Sequence, residues 1–565
     1  MTAIVPTITL NVYFSGTSAA STNIASDVVL GDSPLRLAYG IRGTSPTDRV
    51  ARTGKLSFSL DNSSRNSAGK QGYYSPAHAN ACSTGTLGWN LGVVISVTLS
   101  YGGTNYIKFI GTLTDVKPVP GKHGRQTVKC TVLDWMDDAA RSKLKGLDVK
   151  VSKDASELIT YIVQNSVGRQ PVATSYDDGR STFQYAFDNF SDNKTSVMRA
   201  LSDVVMSEMG YLYITGTTDA AGAKGGKLVF TERTARLKLG APVHTFSEDM
   251  VSLDARQTRA DIINRTFVQV NPRTIDANVS VLWDLTNTVE VPLIPAGATV
   301  TMIAQFTEKI VVYNAAGASR PSRGVPIAST TLSSPVSGTD WIGNAASDGS
   351  GANLTSSIAM TVSAVGANSA TVQLQNSSTS NVYMTTLQLR GNTLKAETPT
   401  TVDASSTDSI TKYGEQDIRI NMPYESDPIL ALNIAKWQNE ATQNARYVVR
   451  SIEILGNKSS TLMTQALARE PGDKIGIVES MTGVGTGSAW TVGTTGSSEL
   501  GETTYLDFHP TQGEYVINGV TLEVQEGSII RAKWVLVPAN PSLLWVLEKV
   551  GSSELGVTTK LSWEI

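Results

Sequence analysis

Residues 92–116 read GVVISVTLSYGGTNYIKFIGTLTDV, and this stretch decides the fold. Apolar and polar residues alternate on both sides of Gly102-Gly103, which is the pattern of two half-buried strands. The two glycines favour a tight turn, because both central positions of such a turn take positive φ. The stretch therefore predicts an antiparallel hairpin.

The neighbouring segments extend this hairpin into a larger antiparallel unit. Residues 55–60 read KLSFSL, alternate with period two and run into the turn residues DNSS. A further strand, TVKCTVLD, follows at 127–134 after a turn at 121–126. Successive strands at this spacing predict a small antiparallel barrel or sandwich, and we assign residues 1–145 to an N-terminal β-barrel.

The composition favours a large, turn-rich β-protein. The 565 residues correspond to about four domains. Charged residues make up 17% of the chain, against about 25% in typical soluble domains. Because 47 Lys and Arg stand against 50 Asp and Glu, giving a net charge of −3, a basic nucleic-acid-binding surface is not expected.

Signals of secretion, membrane insertion and metal chemistry are also missing from the sequence. No basic segment precedes an apolar stretch at the N-terminus, and no apolar run approaches the roughly 20 residues of a membrane span. Cys82 and Cys130 cannot form a disulfide framework and are predicted to be buried thiols. The four histidines are too scattered to suggest a metal site or a catalytic triad: His78, His123, His244 and His509. The sequence therefore favours a structural protein made in the cytosol, without cofactor or metal, over an enzyme.

Residues 146–240 change from period two to helical periodicity. Residues 154–168 place four apolar side chains on one helical face, with a capping box formed by Asp154 and Glu157 and a stop at Gly168. A second helix is predicted over 194–210, and YLYITG with GKLVFTER predicts a hairpin across the loop at 216–226. Helix, helix and hairpin make a small α+β domain.

Residues 277–404 are predicted to form an inserted β-sandwich. Only 11 of the 124 residues from 277 to 400 are charged, and alternating strands with Gly- and Asn-rich turns fill 357–391. The segments 261–271 and 409–420 on either side are predicted strands. Because loop tips tolerate whole domains, we expect an insertion into a hairpin of the third region, which is formed by 241–276 and 405–565.

The third region is predicted to contain a helix and a second barrel. The helix spans 426–445, with Pro428 near its first position and an apolar side made of Ile429, Leu432, Ala435 and Trp437. A strand follows at 446–455.

The last hundred residues echo the N-terminal barrel. The segments 471–478, 515–524 and 529–537 match 90–97, 108–116 and 127–134 in order and in pattern. We interpret the two sets as related β-barrels, although any two antiparallel barrels look alike at this level of comparison. A second, sharper duplication repeats GSSELG at 496–501 and 551–556, each copy six residues after a tryptophan, Trp490 or Trp545. Two equivalent hairpin turns explain it better than a ligand loop.

Candidate chemistry is sparse. The paired carboxylates of DWMDD (134–138) are better explained by a helix cap or a barrel exit than by catalysis, and those of YDDG (176–179) by a turn. Three aromatic residues of the predicted sandwich, Tyr313, Trp341 and Tyr383, are candidates for stacking on sugars, and core packing is the alternative for each.

GKLSFSLDNSSRNSAGKQGYYSP (54–76) and FIGTLTDVKPVPGKHGRQTVKCTVLDWMDDA (109–139) follow one another in the N-terminal region. In content and order they resemble the N-terminal domain of the tail-tip, or baseplate, hub proteins of tailed bacteriophages, also called minor tail proteins. The two helices with their hairpin, and SITKYGEQDI before a helix, are also similar. The resemblance covers about 1–275 and 405–565, and it is nearest to the long non-contractile tail type.

The resemblance implies a homotrimer whose two barrels per chain form a pseudo-sixfold ring, so that a threefold tip fits a sixfold tail tube. It also implies a place in the virion at the distal tail tip, assembly in the host cytoplasm and a channel through which viral DNA passes. The implied partners are the distal tail or tail tube protein, the tape measure protein and tail fibre or receptor-binding proteins. Two alternatives remain open: a glycan- or receptor-binding surface protein acting through 277–404, and a tail-associated cell-wall hydrolase.

Overall fold

A computed structural model describes residues 4–17, 20–120, 126–144, 149–166, 168–188, 195–218, 226–236, 241–285, 290–311, 331–365, 368–445, 447–484 and 513–539. The fold is mainly β and multidomain, with several sheets and six helices within these ranges. Both copies of GSSELG lie outside them.

The strands predicted at 55–60, 92–116 and 127–134 are present, and three strands before them were not predicted. Across Gly102 (φ 60°) and Gly103 (φ 83°), Tyr101 pairs with Thr104, which confirms the predicted hairpin. The strands are β1 (Thr7–Tyr13), β2 (Thr22–Asn23), β3 (Leu35–Gly40), β4 (Lys55–Asp61), β5 (Val94–Tyr101), β6 (Thr104–Val119) and β7 (Thr127–Leu133).

The α+β region forms its own core. The predicted capping box of Asp154 and Glu157 is present, although the helix ends at Gln164 instead of Gly168. The predicted hairpin is confirmed as β11 and β13. The elements are α1 (Trp135–Arg141), β8 (Lys150–Asp154), α2 (Ala155–Gln164), β9 (Ala173–Tyr176), β10 (Thr182–Ala186), α3 (Val197–Glu208), β11 (Tyr211–Thr215), β12 (Thr217–Thr218) and β13 (Lys227–Thr231).

Two antiparallel pairs of strands connect the inserted region to the rest of the chain, and we call them the base. Strand β16 (Arg265–Val270) pairs antiparallel with β26 (Thr400–Ser405), and β17 (Arg273–Ile275) continues this base against β25 (Leu394–Ala396). Chain entry and exit therefore lie side by side, as an insertion into a hairpin requires.

Two sheets of the inserted region contribute to one hydrophobic core, which is compatible with the predicted sandwich. Their strands are β18 (Ser280–Asp284), β19 (Leu293–Ile294), β20 (Thr299–Gln305), β21 (Trp341–Asn344), β22 (Ile358–Ser363), β23 (Ser369–Asn376) and β24 (Val382–Gly391).

The remaining elements complete the third region. They are β14 (Thr245–Ser247), β15 (Met250–Arg256), α4 (Thr407–Tyr413), β27 (Asp417–Met422), α5 (Pro428–Thr442), β28 (Val448–Leu455), α6 (Ser460–Ala468), β29 (Lys474–Val478), β30 (Glu514–Gln525) and β31 (Ile529–Pro538).

Strands from the two ends of the chain belong to a single sheet. Its order is β15-β28-β31-β30-β3-β4-β7-β6-β5-β1-β2, with β29 also paired to β30. The junction is the antiparallel pair β3–β30, where Leu35 opposes Val524 and Gly40 opposes Gly519. Gly40 has φ +91°, and a Cβ there would lie 2.6 Å from the Asn518 carbonyl oxygen. Only glycine fits this close approach.

The predicted duplication is visible in the topology. The N-terminal unit (β3–β7) has the sheet order β3-β4-β7-β6-β5, and the C-terminal unit (β15 and β28–β31) has the order β15-β28-β31-β30-β29. Chain order and antiparallel pairing are the same in both. The described strands do not close into a barrel, so the barrel and sandwich assignments and the domain boundaries stay predictions.

Some local predictions were wrong. Residues 407–413 form helix α4, capped by Ser406, whereas a strand was expected from 409. In α5 the predicted Asp-Pro start is confirmed, but Ile429 is 72% exposed. Helix α5 packs on the β16 sheet through Ala431, Ile434 and Ala435, because the sheet below it sets the buried face. Helix α6 was not predicted, and α1 was anticipated only through the helix cap expected at 134–138.

Candidate functional site

The aromatic candidates for sugar binding lie on neighbouring strands of the inserted region. Trp341 in β21 is 9% exposed, and its indole Nε1 donates to the Ile358 carbonyl oxygen at 3.3 Å. Tyr383 in β24 is half-buried and pairs with Asn344 at the other end of β21. Tyr313 lies outside the described residues. Trp341 belongs to the hydrophobic core of the inserted region, which agrees with the core-packing alternative for this residue.

The carboxylates of 134–138 cap a helix. Asp134 is the N-cap of α1 and accepts a hydrogen bond from the Met136 amide at 3.1 Å. Burial raises the pKa of Asp134 to about 7, although hydrogen bonds from backbone amides oppose the shift. Asp137 forms an ion pair with Arg141 at 3.0 Å. The pair Asp177-Asp178 lies in an exposed segment after β9, and residues 177–179 do not form the predicted turn.

The other candidate groups bring no reactive arrangement together. Cys82 and Cys130 are free and buried, as predicted, and burial raises the pKa of the Cys130 thiol. Within the described ranges, His, Cys, Asp and Glu do not form any cluster of three that could hold a metal. None of the helices in the described part of the chain has the length and apolar character needed to cross a membrane.

The buried Asp134 carboxylate makes stability depend on pH. Its folded-state pKa, about 7, lies above the unfolded value of about 3.9, so the folded state binds more protons between these values. The contribution is fully present below about pH 4 and is lost as pH rises through about 7. Replacing Asp134 with asparagine keeps a helix cap and removes the titration. We expect D134N to exceed the wild type in free energy of unfolding by about 1–4 kcal/mol at about pH 8, with the gain vanishing near pH 4.

Urea unfolding at several pH values measures this difference. The control is D137N, which removes a neighbouring carboxylate that is ion-paired with Arg141. It should not raise stability at the alkaline end. Burial also raises the pKa of Glu208 to about 7, so part of the pH dependence will persist in D134N. An unchanged pH profile in D134N would contradict the prediction.

A cleft of about 870 Å³ separates the N-terminal sheet from the α+β region. Arg169 bridges it, with Nη2 donating to the Gly92 carbonyl oxygen at 3.1 Å, and Trp135 Nε1 donates to the Arg169 carbonyl oxygen at 2.6 Å. Its described lining includes Asp134 and Asp138 but neither histidine nor cysteine.

A buried ion-pair network connects three parts of the chain. Lys108 in β6 is 2% exposed; its ammonium pairs with Glu470 and donates to the Leu467 carbonyl oxygen at 2.9 Å. Glu470, which follows α6, also accepts from the Tyr39 hydroxyl at 2.8 Å and from the Gly216 amide at 3.0 Å. We call this the Lys108–Glu470 network. It fixes the N-terminal sheet, the α+β hairpin and the C-terminal unit to one another.

This network was not predicted, although the sequence carries one signal of it. Lys108 lies between Tyr106 and Ile110 on the inward face of a strand with period two. A lysine at such a position needs a buried partner. Nothing local to Glu470 identifies it as that partner.

Two sheet edges are unpaired and form a candidate assembly surface. Among the described strands, β15 pairs with β28 and with no other. In β6, pairing with β5 ends at Thr112, so residues 114–119 have a described partner strand only on the β7 side. Val251 in β15 is 52% exposed. Unpaired edges of this kind are templates for a further strand.

Solved structures to which this chain is similar include phage tail proteins and a secretion-system component. The tail protein from Neisseria meningitidis MC58 is 8% identical, with a TM-score of 0.42 over 94% of this chain and 96% of that chain. The 43 kDa tail protein of prophage MuSo2 from Shewanella oneidensis is also 8% identical, with a TM-score of 0.40 over 94% and 98%.

The E. coli c3393 protein is described as a component of the type VI secretion system with structural similarity to the T4 bacteriophage tail proteins gp27 and gp5. It is 8% identical, with a TM-score of 0.33 over 90% of this chain and 74% of that chain. No family model matches the sequence, and no curated protein matches it. At these identities and TM-scores, similarity does not establish a function for this chain.

Proposed function

We propose that the chain is a structural virion protein that forms a homotrimeric hub at the distal tip of a phage tail. The hub adapts a sixfold tail tube to a threefold tip and helps to form the channel for DNA ejection. The observation that carries the proposal is the repeated five-strand unit, because two equivalent units per chain give three chains six similar positions.

We infer the contact between neighbouring chains from the contact between the two units of one chain. Within one chain, the first strand of the N-terminal unit, β3, pairs with the fourth strand of the C-terminal unit, β30. The equivalent joint from the C-terminal unit connects β15 to β6 of a neighbouring chain. Among the described strands, β15 has no partner on one side, and residues 114–119 of β6 have none on the side facing away from β7. A contact of this head-to-tail kind closes into a ring when the rotation between chains permits.

The register of the second joint follows from that of the first. Leu37 opposes Leu522 within the chain. Leu37 is also opposite Leu56 of β4, and Leu253 is opposite Ile452 of β28 in the other unit. Leu253 is therefore the counterpart of Leu37.

Val116 is the counterpart of Leu522. Val116 faces Cys130 of β7, and Leu522 faces Ala532 of β31. In the N-terminal unit, Leu56 pairs with Val132, which lies two residues after Cys130. In the C-terminal unit, Ile452 pairs with Trp534, which lies two residues after Ala532. Leu253 should therefore lie opposite Val116 of the neighbouring chain.

Cysteines at these two positions should link neighbouring chains. Opposed residues of antiparallel strands have Cβ atoms about 4.5–5.5 Å apart, which is close to disulfide distance. The variants also carry C130A, because Val116 faces the native Cys130 and a cysteine at position 116 would otherwise pair with it inside the chain. We expect V116C/L253C to give covalent dimers and trimers under mild oxidation, with no larger species, on non-reducing electrophoresis.

The matched control is V116C/I303C, because Ile303 is 65% exposed on the inserted region. It should stay uncrosslinked, as should each single variant. A chain that remains monomeric by light scattering, or linked products that continue beyond three chains, would contradict the proposed ring.

On this proposal, the protein is not an enzyme and its surfaces act by contact. The tail tube or distal tail protein, the tape measure protein and the fibre or receptor-binding proteins are its partners. Hub domains would comprise 1–145, and 241–276 with 405–565; 146–240 and 277–404 would be the α+β domain and the decoration. Threefold density at the tail tip with two such units per chain is the expected result of imaging particles, and a fivefold or sixfold ring of this protein would overturn the proposal.

A further inference from the structure

A small cavity lies where separate parts of the chain meet. Its volume is about 160 Å³. The walls come from the loop after β3, from the α+β region, from the last turns of α5 and from the strands β30 and β31. Neither of the edges in the proposed ring contact contributes to it.

Three buried arginines line this cavity. Arg49, Arg233 and Arg236 are 2%, 9% and 7% exposed. Arg233 has a counter-charge, since its Nε lies 3.6 Å from Glu208 Oε1. Within the described part of the chain, Arg49 and Arg236 form no ion pair: Arg49 donates to the Pro46 and Met209 carbonyl oxygens and Arg236 to the side chain of Asn518.

Arg49 and Arg236 share one aromatic ring. Their guanidinium carbons lie 4.7 and 3.5 Å from the centre of the Tyr211 ring. Burial alone would raise the pKa of Tyr211, but the two cations outweigh it and lower that pKa. Two like charges held together away from water are costly unless a counter-charge neutralises them.

Unpartnered donors surround the cavity. Nε and Nη2 of Arg236 are buried and have no hydrogen-bond partner, and the same holds for Trp437 Nε1. Asp48 is the only carboxylate among the described lining residues, and its Oδ2 accepts from the Ser45 amide at 3.0 Å. One carboxylate can neutralise at most one of the two cations.

We propose that this cavity binds a small oxyanion, such as inorganic phosphate, between Arg49, Arg236 and Trp437. A guanidinium fork matches the oxygen geometry of such an ion. The 160 Å³ volume equals the share of about five water molecules. It lies well below the roughly 300 Å³ where pockets for larger organic ligands begin, which excludes a nucleotide or an oligosaccharide.

Oxyanion binding would stabilise the folded chain. The ion contacts the N-terminal loop through Arg49 and the α+β region through Arg236, which in turn holds Asn518 of β30. Because a site built from distant segments exists only in the folded state, its ligand raises the melting temperature by mass action.

Thermal unfolding of the full chain in Tris chloride, with sodium phosphate added at constant ionic strength, tests the proposal. We expect a saturable rise in Tm of about 2 °C or more for the wild type. R236Q should lose this rise. The control is R36Q, which removes the same charge from a surface arginine paired with Glu523 at 3.2 Å and should keep it.

A second variant, R236K, distinguishes loss of the phosphate site from failure of R236Q to fold. R236K keeps the charge but lacks the fork, so its phosphate response should weaken without vanishing. Calorimetric titration of the wild type with phosphate gives an independent readout. A Tm that follows ionic strength alone, or equal phosphate responses of wild type and R236Q, would overturn the site; either result leaves the proposed ring untouched.

Discussion

Replacing Glu470 with glutamine is expected to lower the free energy of unfolding by about 3–5 kcal/mol. The substitution leaves the ammonium of Lys108 buried, at 2% exposure, without its counter-charge. An uncompensated charge costs far more than a lost surface pair because the interior solvates it poorly. The Leu467 and Arg469 carbonyl oxygens, at 2.9 and 3.2 Å from Nζ, remain as partners and favour the lower end of the range.

Urea unfolding of E470Q against E523Q isolates this effect. Glu523 pairs with Arg36 at the surface, where Arg36 is 57% exposed, so E523Q should cost about 1 kcal/mol or less. The double variant K108M/E470Q removes both charges and should recover part of the loss. Equal destabilisation by E470Q and E523Q would show that the network does not hold a buried charge.

Replacing Trp534 with alanine is expected to cost about 3–5 kcal/mol and to loosen both units together. Trp534 in β31 is fully buried, and its ring centre lies 5.3 Å from that of Phe246. Its core cluster also contains Leu56 and Phe58 of β4 in the N-terminal unit. Because one core serves both units, a cavity in the C-terminal one weakens the whole.

Hydrogen exchange by mass spectrometry measures how far this effect spreads. In W534A, peptides covering β4 should exchange faster as well as those covering β31. The matched control is L374A, which deletes an equally buried side chain from the separate core of the inserted region. It should leave exchange in β4 unchanged. Faster exchange confined to β31 in W534A would mean that the units are stabilised independently.

Local chemistry made much of this fold predictable from sequence. Alternation and the Gly102-Gly103 turn fixed the β5–β6 hairpin, and the Asp154–Glu157 capping box fixed the start of α2. These signals depend on residues within a few positions of each other. The buried face of α5 was misjudged because the underlying sheet selects it, and Ile429 points away from that sheet despite its hydrophobicity.

The sequence by itself determined the last four strands of each five-strand unit, β4–β7 and β28–β31, their repetition and the scarcity of reactive groups. Only the tertiary structure decided how the units join, because β3 and β30 pair although most of the chain lies between them. The same is true of Lys108 and Glu470, which are 362 residues apart, and of the arginine-lined cavity. Hydrophobic periodicity indicates which face of a strand is buried, but it does not identify the strand with which it pairs. Packing between distant segments selects that partner strand.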